Sequence, residues 1–159
     1  MEPIELKVSA IENGTVIDHI PAENVFKVIK ILGLDKFDDT VLFGTNLDSK
    51  KFGKKGIIKV ANKFFQSEEI NKIALIAPSV TLTIIKDYKK AEKRNIEVPD
   101  TISNYVKCVN PNCITNNENV ISRFNVISKV KGDIKLQCHY CEKITDSSNM
   151  KFILNDQEH

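Results

Sequence analysis

The sequence predicts an α+β protein in two parts: an N-terminal βαββαβ domain, then a small antiparallel β domain held together by a metal. Three observations carry this. Over the first hundred residues the apolar period switches between two and about 3.6, in the order strand, helix, strand, strand, helix, strand. All four cysteines lie beyond residue 100, in two close pairs, Cys108/Cys113 and Cys138/Cys141. Between the pairs runs a stretch with the alternation and turn of a β-hairpin.

Taken in order, Leu6–Ile11 is a short strand candidate, and the turn Glu12-Asn13-Gly14 leads to Thr15–Ile20, a β-branched strand that Pro21 ends. Val25, Val28, Ile29 and Leu32 then share one helical face, Phe26 flanks it and Gly33 stops it, so residues 22–32 read as an amphipathic helix. Thr40–Leu47 and Gly56–Asn62 are the next two strands, and the polar segment Asp48–Lys55 is their hairpin connection. Ser67 with Glu68 and Glu69 marks a helix start, a hydroxyl cap followed by two carboxylates at the positive end of the dipole. Ile70, Ile73, Ala74 and Ala77 continue that helix to Pro78, and Val80–Ile85 closes the pattern as a strand. This is the split βαβ arrangement, with two helices on one face of an antiparallel sheet. Residues 86–94 are charged, and Glu97-Val98-Pro99-Asp100 reads as an extended connection. The expected division is therefore 1–97, a linker at 98–102, and 103–159 with a polar tail from Asn155.

At 159 residues, with 42% hydrophobic and 28% charged side chains, the chain has the composition of a soluble globular protein. Residues 1–100 carry 16 basic and 15 acidic groups and residues 101–159 carry 7 and 6, so neither part has the basic excess of a duplex-binding module. There is no tryptophan to build a stacking platform for single strands. No apolar run approaches the length of a membrane span, and no apolar leader opens the chain, so a reducing cytoplasm is the expected setting.

In that setting the cysteines point to zinc. The pairs are C-x4-C and C-x2-C, 24 residues apart, and two close pairs on two turns are what a tetrahedral ion with four thiolate ligands requires. Val109, Asn110, Pro111 and Asn112 form the first loop and His139 and Tyr140 the second. Gly132-Asp133 turns the hairpin between them, whose arms alternate through Phe124, Val126 and Ser128 and through Ile134, Leu136 and Cys138. Two disulfides would need an oxidising compartment, and a redox C-x2-C would leave Cys108 and Cys113 without a role. Four protein ligands close the coordination sphere, so this zinc folds the domain and performs no chemistry, and His139 is expected to be exposed rather than coordinating.

No nucleophile elbow, phosphate loop or glycine-rich strand-to-helix turn occurs, so no enzymatic constellation is found. Two features remain. Asp18-His19 places an acid and an imidazole side by side at a strand end, where they serve one ligand only if the strand bends; otherwise they are a cap and a half-buried ring. Lys50, Lys51, Lys54, Lys55, Lys59 and Lys63 follow one another with no carboxylate between Ser49 and Ser67. Most read as a solvated face, but Lys59 lies within an apolar strand, where a cation needs water or an anion. If the strand edges meet, Lys59 and Lys93 converge on one anion, with a phosphate ester the natural candidate.

The segments GTVIDHIPA, GTNLDSKKFGKKGIIKVAN, Ala77–Tyr88, CVNPNC and CHYCEK, in this order and spacing, resemble the regulatory chains of aspartate carbamoyltransferase. The resemblance covers nearly the whole chain. It implies a non-catalytic regulatory subunit of pyrimidine biosynthesis, with a ferredoxin-like nucleotide-effector domain and a zinc domain that docks on the catalytic chains. It further implies a homodimer of regulatory chains and the nucleoside triphosphates CTP and ATP as effectors. By position, Asp18 and His19 correspond to the acid and imidazole that contact the nucleotide, Lys59 to the lysine near sugar and base, and Lys93 to the lysine towards the phosphates. Val8, Ala10, Ile11, Val16, Ile85 and Tyr88 match the pocket lining, and Lys55 a second triphosphate subsite. Thr83 stands where the family pattern has an asparagine, so the resemblance implies an altered effector contact there. Asn112, Glu142 and Lys143 resemble the surface that meets the catalytic chain. The competing reading, from the residues alone, is a zinc-ribbon protein that binds nucleic acid through the lysine-rich loop.

Overall fold

The computed structural model of the protein describes residues 10–50, 53–130 and 132–153. The chain divides into two compact units between Glu97 and Val98. Among the described residues, no helix is long and apolar enough to cross a membrane.

The first unit holds five strands, β1 (Gly14–Pro21), β2 (Val41–Ser49), β3 (Gly53–Ala61), β4 (Thr81–Lys86) and β5 (Lys89–Asn95). They form one antiparallel sheet in the order β2-β3-β1-β4-β5. Two helices, α1 (Val25–Ile31) and α2 (Ser67–Ile76), supply the rest of the core. Ile17, Ile58, Val60 and Leu82 of the sheet are buried with Val25, Val28, Ile73 and Ala74 of the helices, so one face of the sheet is the covered face. Gly56 allows that closeness: a Cβ there would strike the Val25 side chain. The first four strands with their two helices are the expected βαββαβ set, and the expected α+β class holds for the chain as a whole.

Several local expectations are corrected. Residues 89–95 form a fifth strand although KKAEKRN contains no apolar alternation; it is an edge strand with every residue exposed, and its order comes from the ladder with β4. The β4–β5 turn is Asp87-Tyr88, both residues at positive φ (54° and 67°), a primed hairpin turn made without glycine. Its Tyr88 N–H donates to the Glu12 carbonyl at 2.9 Å and its Asp87 N–H to Asn13 Oδ1 at 3.2 Å, which pins it to the loop before β1. The β2–β3 connection is shorter than the polar segment suggested, because pairing continues to Ser49↔Gly53. Residues 22–32 begin as a 3-10 turn, Ala22–Asn24, before α1. The cap of α2 is Gln66 rather than Ser67: the Gln66 N–H donates to Glu69 Oε1 at 2.9 Å and the Gln66 side chain accepts in return, a capping box. The Leu6–Ile11 strand candidate lies mostly outside the described residues, and Ala10 and Ile11 are not in a strand.

The second unit is built on a four-stranded antiparallel sheet ordered β10-β9-β8-β6, comprising β6 (Thr101–Ser103), β8 (Arg123–Val130), β9 (Asp133–Cys138) and β10 (Ile144–Asp146). A separate ladder pairs β7 (Val106–Lys107) with β11 (Lys151–Phe152), and one helical turn, α3 (Ile114–Asn117), follows the first cysteine loop. Thr101 and Ile102, expected in a linker, belong to β6, because Ile102 pairs with Phe124 and is buried against the small core of Val106, Ile134 and Leu136. The hairpin of β8 and β9 carries Cys138 at its end, with a register shift between Val126 and Ser128 that leaves Ile127 half exposed.

Candidate functional site

Two sites emerge, one in each unit. In the second, the Sγ atoms of Cys108, Cys113, Cys138 and Cys141 all lie within 4.8 Å of one another. Cys108–Cys141 is 3.6 Å and Cys113–Cys138 is 3.7 Å. Four thiolates about 2.3 Å from one tetrahedral ion are roughly 3.8 Å apart, so the spacing fits zinc and is far from the ~2 Å of a disulfide. Short turns aim the sulfurs. The Cys113 N–H donates to the Asn110 carbonyl, the Glu142 N–H to the Cys138 carbonyl, and Glu142 itself sits at φ 64°. Thr115 Oγ1 donates to Cys113 Sγ at 3.3 Å and the Tyr140 N–H to Cys138 Sγ at 3.4 Å, outer hydrogen bonds that steady thiolate ligands.

Two residues that sequence reasoning passed over complete this site. Asn116 donates through Nδ2 to the carbonyls of Cys108 and Asn110, and Asn117 to those of Pro111 and Cys113, so α3 clasps the whole first loop. The asparagine run ITNNEN was the available signal. Burial pushes the Cys108 thiol up to about 12 and raises Cys138 as well. At Cys141 burial also raises the value, but hydrogen bonds with Asn110, Lys143, Cys108 and Cys138 together outweigh it and bring the thiol down to about 7. A dication is what lets all four ionise together in this buried cluster. His139 is exposed and stacks edge-on against Tyr140 at 5.0 Å, away from the role of ligand.

The first unit's candidate site is the sheet face opposite the helices. Residues directly opposed across a ladder share a face, so the register defines its rows. One row runs Lys59, Val16, Thr83, Lys93 across four adjacent strands. The next contains Asp18, Thr81 and Asn95, and the row on the other side Ala61, Gly14, Ile85 and Lys90. Val16, Lys59, Thr83, Ile85 and Lys93, expected together from the resemblance, thus do meet on one surface. The Tyr88–Glu12 hydrogen bond ties Tyr88 to the loop before β1, in which Ile11 is buried and Ala10 exposed, and Val8 lies outside the described residues. Thr83 is 6% exposed in the centre of the row, flanked by Val16 and Lys93.

Asp18 and His19 meet the condition set for them. The strand bends between Ile17 and Ile20, with His19 at φ 62°, so alternation is broken there. His19 Nδ1 lies 3.1 Å from Thr81 Oγ1, on the face that carries Asp18. Asp18 Oδ1 accepts the His19 N–H at 2.7 Å and pairs with Lys55 Nζ at 2.8 Å. Lys59 is partly buried, and that burial holds its ammonium below the ordinary lysine range, opposed by attraction to Asp18.

The lysine run separates by register. Lys54 pairs with Asp48 at 2.8 Å and Lys63 with Glu69 at 3.1 Å, both apart from the site, while Lys55 and Lys59 enter it. The expected convergence of Lys59 and Lys93 on one anion is corrected: β3 and β5 are separated by β1 and β4, so at about 4.8 Å per strand the two backbones stand roughly 14 Å apart. The two lysines therefore stand at opposite ends of the row.

Both units have counterparts in known families. Residues 6–97 match the family described as aspartate carbamoyltransferase regulatory chain, allosteric domain, and residues 100–151 the metal binding domain of the same chain. The chain is 55% identical over 139 residues to the aspartate carbamoyltransferase regulatory chain of Parabacteroides distasonis, covering 87% of this chain and 89% of the relative. It is 53% identical over 148 residues to that of Pyrococcus horikoshii, covering 92% and 96%.

Proposed function

The chain belongs to the aspartate carbamoyltransferase regulatory-chain family, and from that premise we propose that the sheet face of its first unit that carries Lys59, Thr83 and Lys93 binds CTP and ATP as allosteric effectors. A non-catalytic regulatory chain with a structural zinc associates with catalytic chains, and both units match that family, which leaves no support for the nucleic-acid reading. The observation that carries the effector reading is the row Lys59-Val16-Thr83-Lys93, two cations at the ends of a row with a valine and a threonine between them, whose span suits a nucleotide.

In this reading Lys59 and Asp18 lie towards the sugar and base and Lys93 towards the phosphates. Ile11, Val16, Ile85 and Tyr88 give apolar contact, and the backbone of residues 10 and 11 reads the base edge. Thr83 offers one hydroxyl at the centre of the row. Lys55 is held by Asp18 and serves a second phosphate subsite only by leaving that pair. The second unit presents Asn112, Glu142 and Lys143 around the metal, with the exposed Ile114, Tyr140 and Ile144 nearby, as the surface that docks on the catalytic chain. Two regulatory chains pair through the β2 edge of the first unit. Its exposed Phe43 packs edge-on against Phe26 at 5.4 Å, an apolar patch that the cationic β5 edge lacks. The assembly works in the cytoplasm, in pyrimidine biosynthesis. Each effector shifts the quaternary equilibrium by binding one state more tightly, and a coupling of about 1–3 kcal/mol suffices for a several-fold change in activity.

Calorimetric titration of CTP into the zinc-loaded full-length chain tests the effector site. Saturable binding is expected for the wild type, weakened roughly tenfold in Lys59→Ala and in Lys93→Ala. Equal affinity in all three proteins would remove the site from this face.

A further inference from the structure

We propose that Lys90 is the second cation of the phosphate-holding end of this site, acting with Lys93. The inference rests on the effector reading above and on the register of the β4–β5 hairpin. Thr83 opposes Lys93 and Ile84 opposes Glu92, but Ile85 opposes Lys90, so Ala91 is an inserted bulge residue. Without the bulge, positions 90 and 93 would point to opposite faces, since side chains alternate along a strand. With it, both lysines share the face of Thr83 and Ile85. Glu92 and Arg94 take the opposite face, where they pair at 3.8 Å.

Lys90 and Lys93 are therefore two ladder positions apart along β4, about 7 Å, a gap that two lysine side chains close on one polyphosphate. Among the described residues neither has an ion pair, and both are exposed. Lysines on an edge strand also deter edge-to-edge pairing, but that role needs no particular face. The bulge gathers Lys90, Lys93 and Asn95 on the site's face and leaves the charge-balanced pair on the other. Lys59 stands three strands away and Lys55 is held by Asp18, so Lys90 is the cation that the register places beside Lys93 on this face.

The test compares the wild type, Lys90→Ala, Lys90→Arg and Lys93→Ala as zinc-loaded full-length chains, titrated with CTP and with CMP. Lys90→Ala is expected to weaken CTP roughly tenfold, as Lys93→Ala does, to weaken CMP much less, and to be rescued by arginine. Unchanged CTP affinity in Lys90→Ala beside a loss in Lys93→Ala overturns the pair and leaves the effector site standing. Equal losses for CTP and CMP place Lys90 at the nucleoside end and also overturn it. If the wild type binds neither CTP nor ATP, the effector reading fails and the pair fails with it.

Discussion

Stripping zinc with a chelator, or replacing Cys113 with alanine, is expected to unfold the second unit and release the chain from the catalytic chains while the first unit stays folded. The core of the second unit is small: among the described residues Ile102, Val106, Phe124, Ile134 and Leu136 are fully buried, and three of the four ladders have only two or three residue pairs. A unit of this size gains a few kcal/mol at most from its core, whereas a structural zinc contributes on the order of 10–16 kcal/mol near neutral pH. The loops proposed to dock are the cysteine loops, which are expected to lose their shape with the metal. The first unit keeps an independent core of Ile17, Ile20, Val25, Val28, Ile58, Val60, Ile73 and Leu82. Hydrogen exchange on the zinc-free full chain should show protection kept in β1–β4 and lost in β8 and β9. An intact complex after complete zinc removal would contradict this.

Gly14→Ala is expected to cost the first unit about 3 kcal/mol or more, a fall of more than about 10 °C in its unfolding temperature. Gly14 opens the central strand at φ 143°, opposite Ala61 on one side and Ile85 on the other. A Cβ there would strike the Val60 carbonyl and stand 2.9 Å from the Asn62 backbone nitrogen, both fixed parts of β3 and its end. Relief requires β1 to move from β3, which would displace the loop of residues 10–13 and the Tyr88 turn attached to it. CTP binding should therefore weaken together with stability. Gly33→Ala is the matched control: it also has positive φ, at 68°, but no atom within 4 Å, so only about 1 kcal/mol is at stake. A Gly14→Ala protein as stable as that control would refute the account of β1.

What the sequence disclosed, and what it hid, follows from the range over which each signal acts. The zinc ligands were legible because four thiolates on two turns leave a local spacing. The inner strands of the first unit were legible because Ile17, Ile58, Val60 and Leu82 must face a core. Strand β5 was hidden because both its sides meet solvent, so no burial imprints a period on Lys89–Asn95. Its turn was hidden because Asp87 and Tyr88 hold positive φ with help from Asn13 and the Glu12 carbonyl, partners more than seventy residues away. The relation of Lys59 to Lys93 depended on strand order, which neither strand's residues encode alone, and the placing of Lys90 depended on a bulge visible only in the ladder. The loop-clasping amides of Asn116 and Asn117 looked like ordinary loop formers until their carbonyl partners were known.

The most direct measurement is catalytic activity at sub-saturating aspartate, comparing free catalytic chains with the same chains assembled with this zinc-loaded protein, each with and without CTP and ATP. The account predicts that nucleotides leave the free catalytic chains unchanged, alter the activity of the assembly several-fold, and lose that effect when the assembly carries Lys93→Ala. An assembly that forms, binds CTP on the first unit and yet shows the same activity with and without it would contradict the claim that this chain carries control from its sheet face to the catalytic chains.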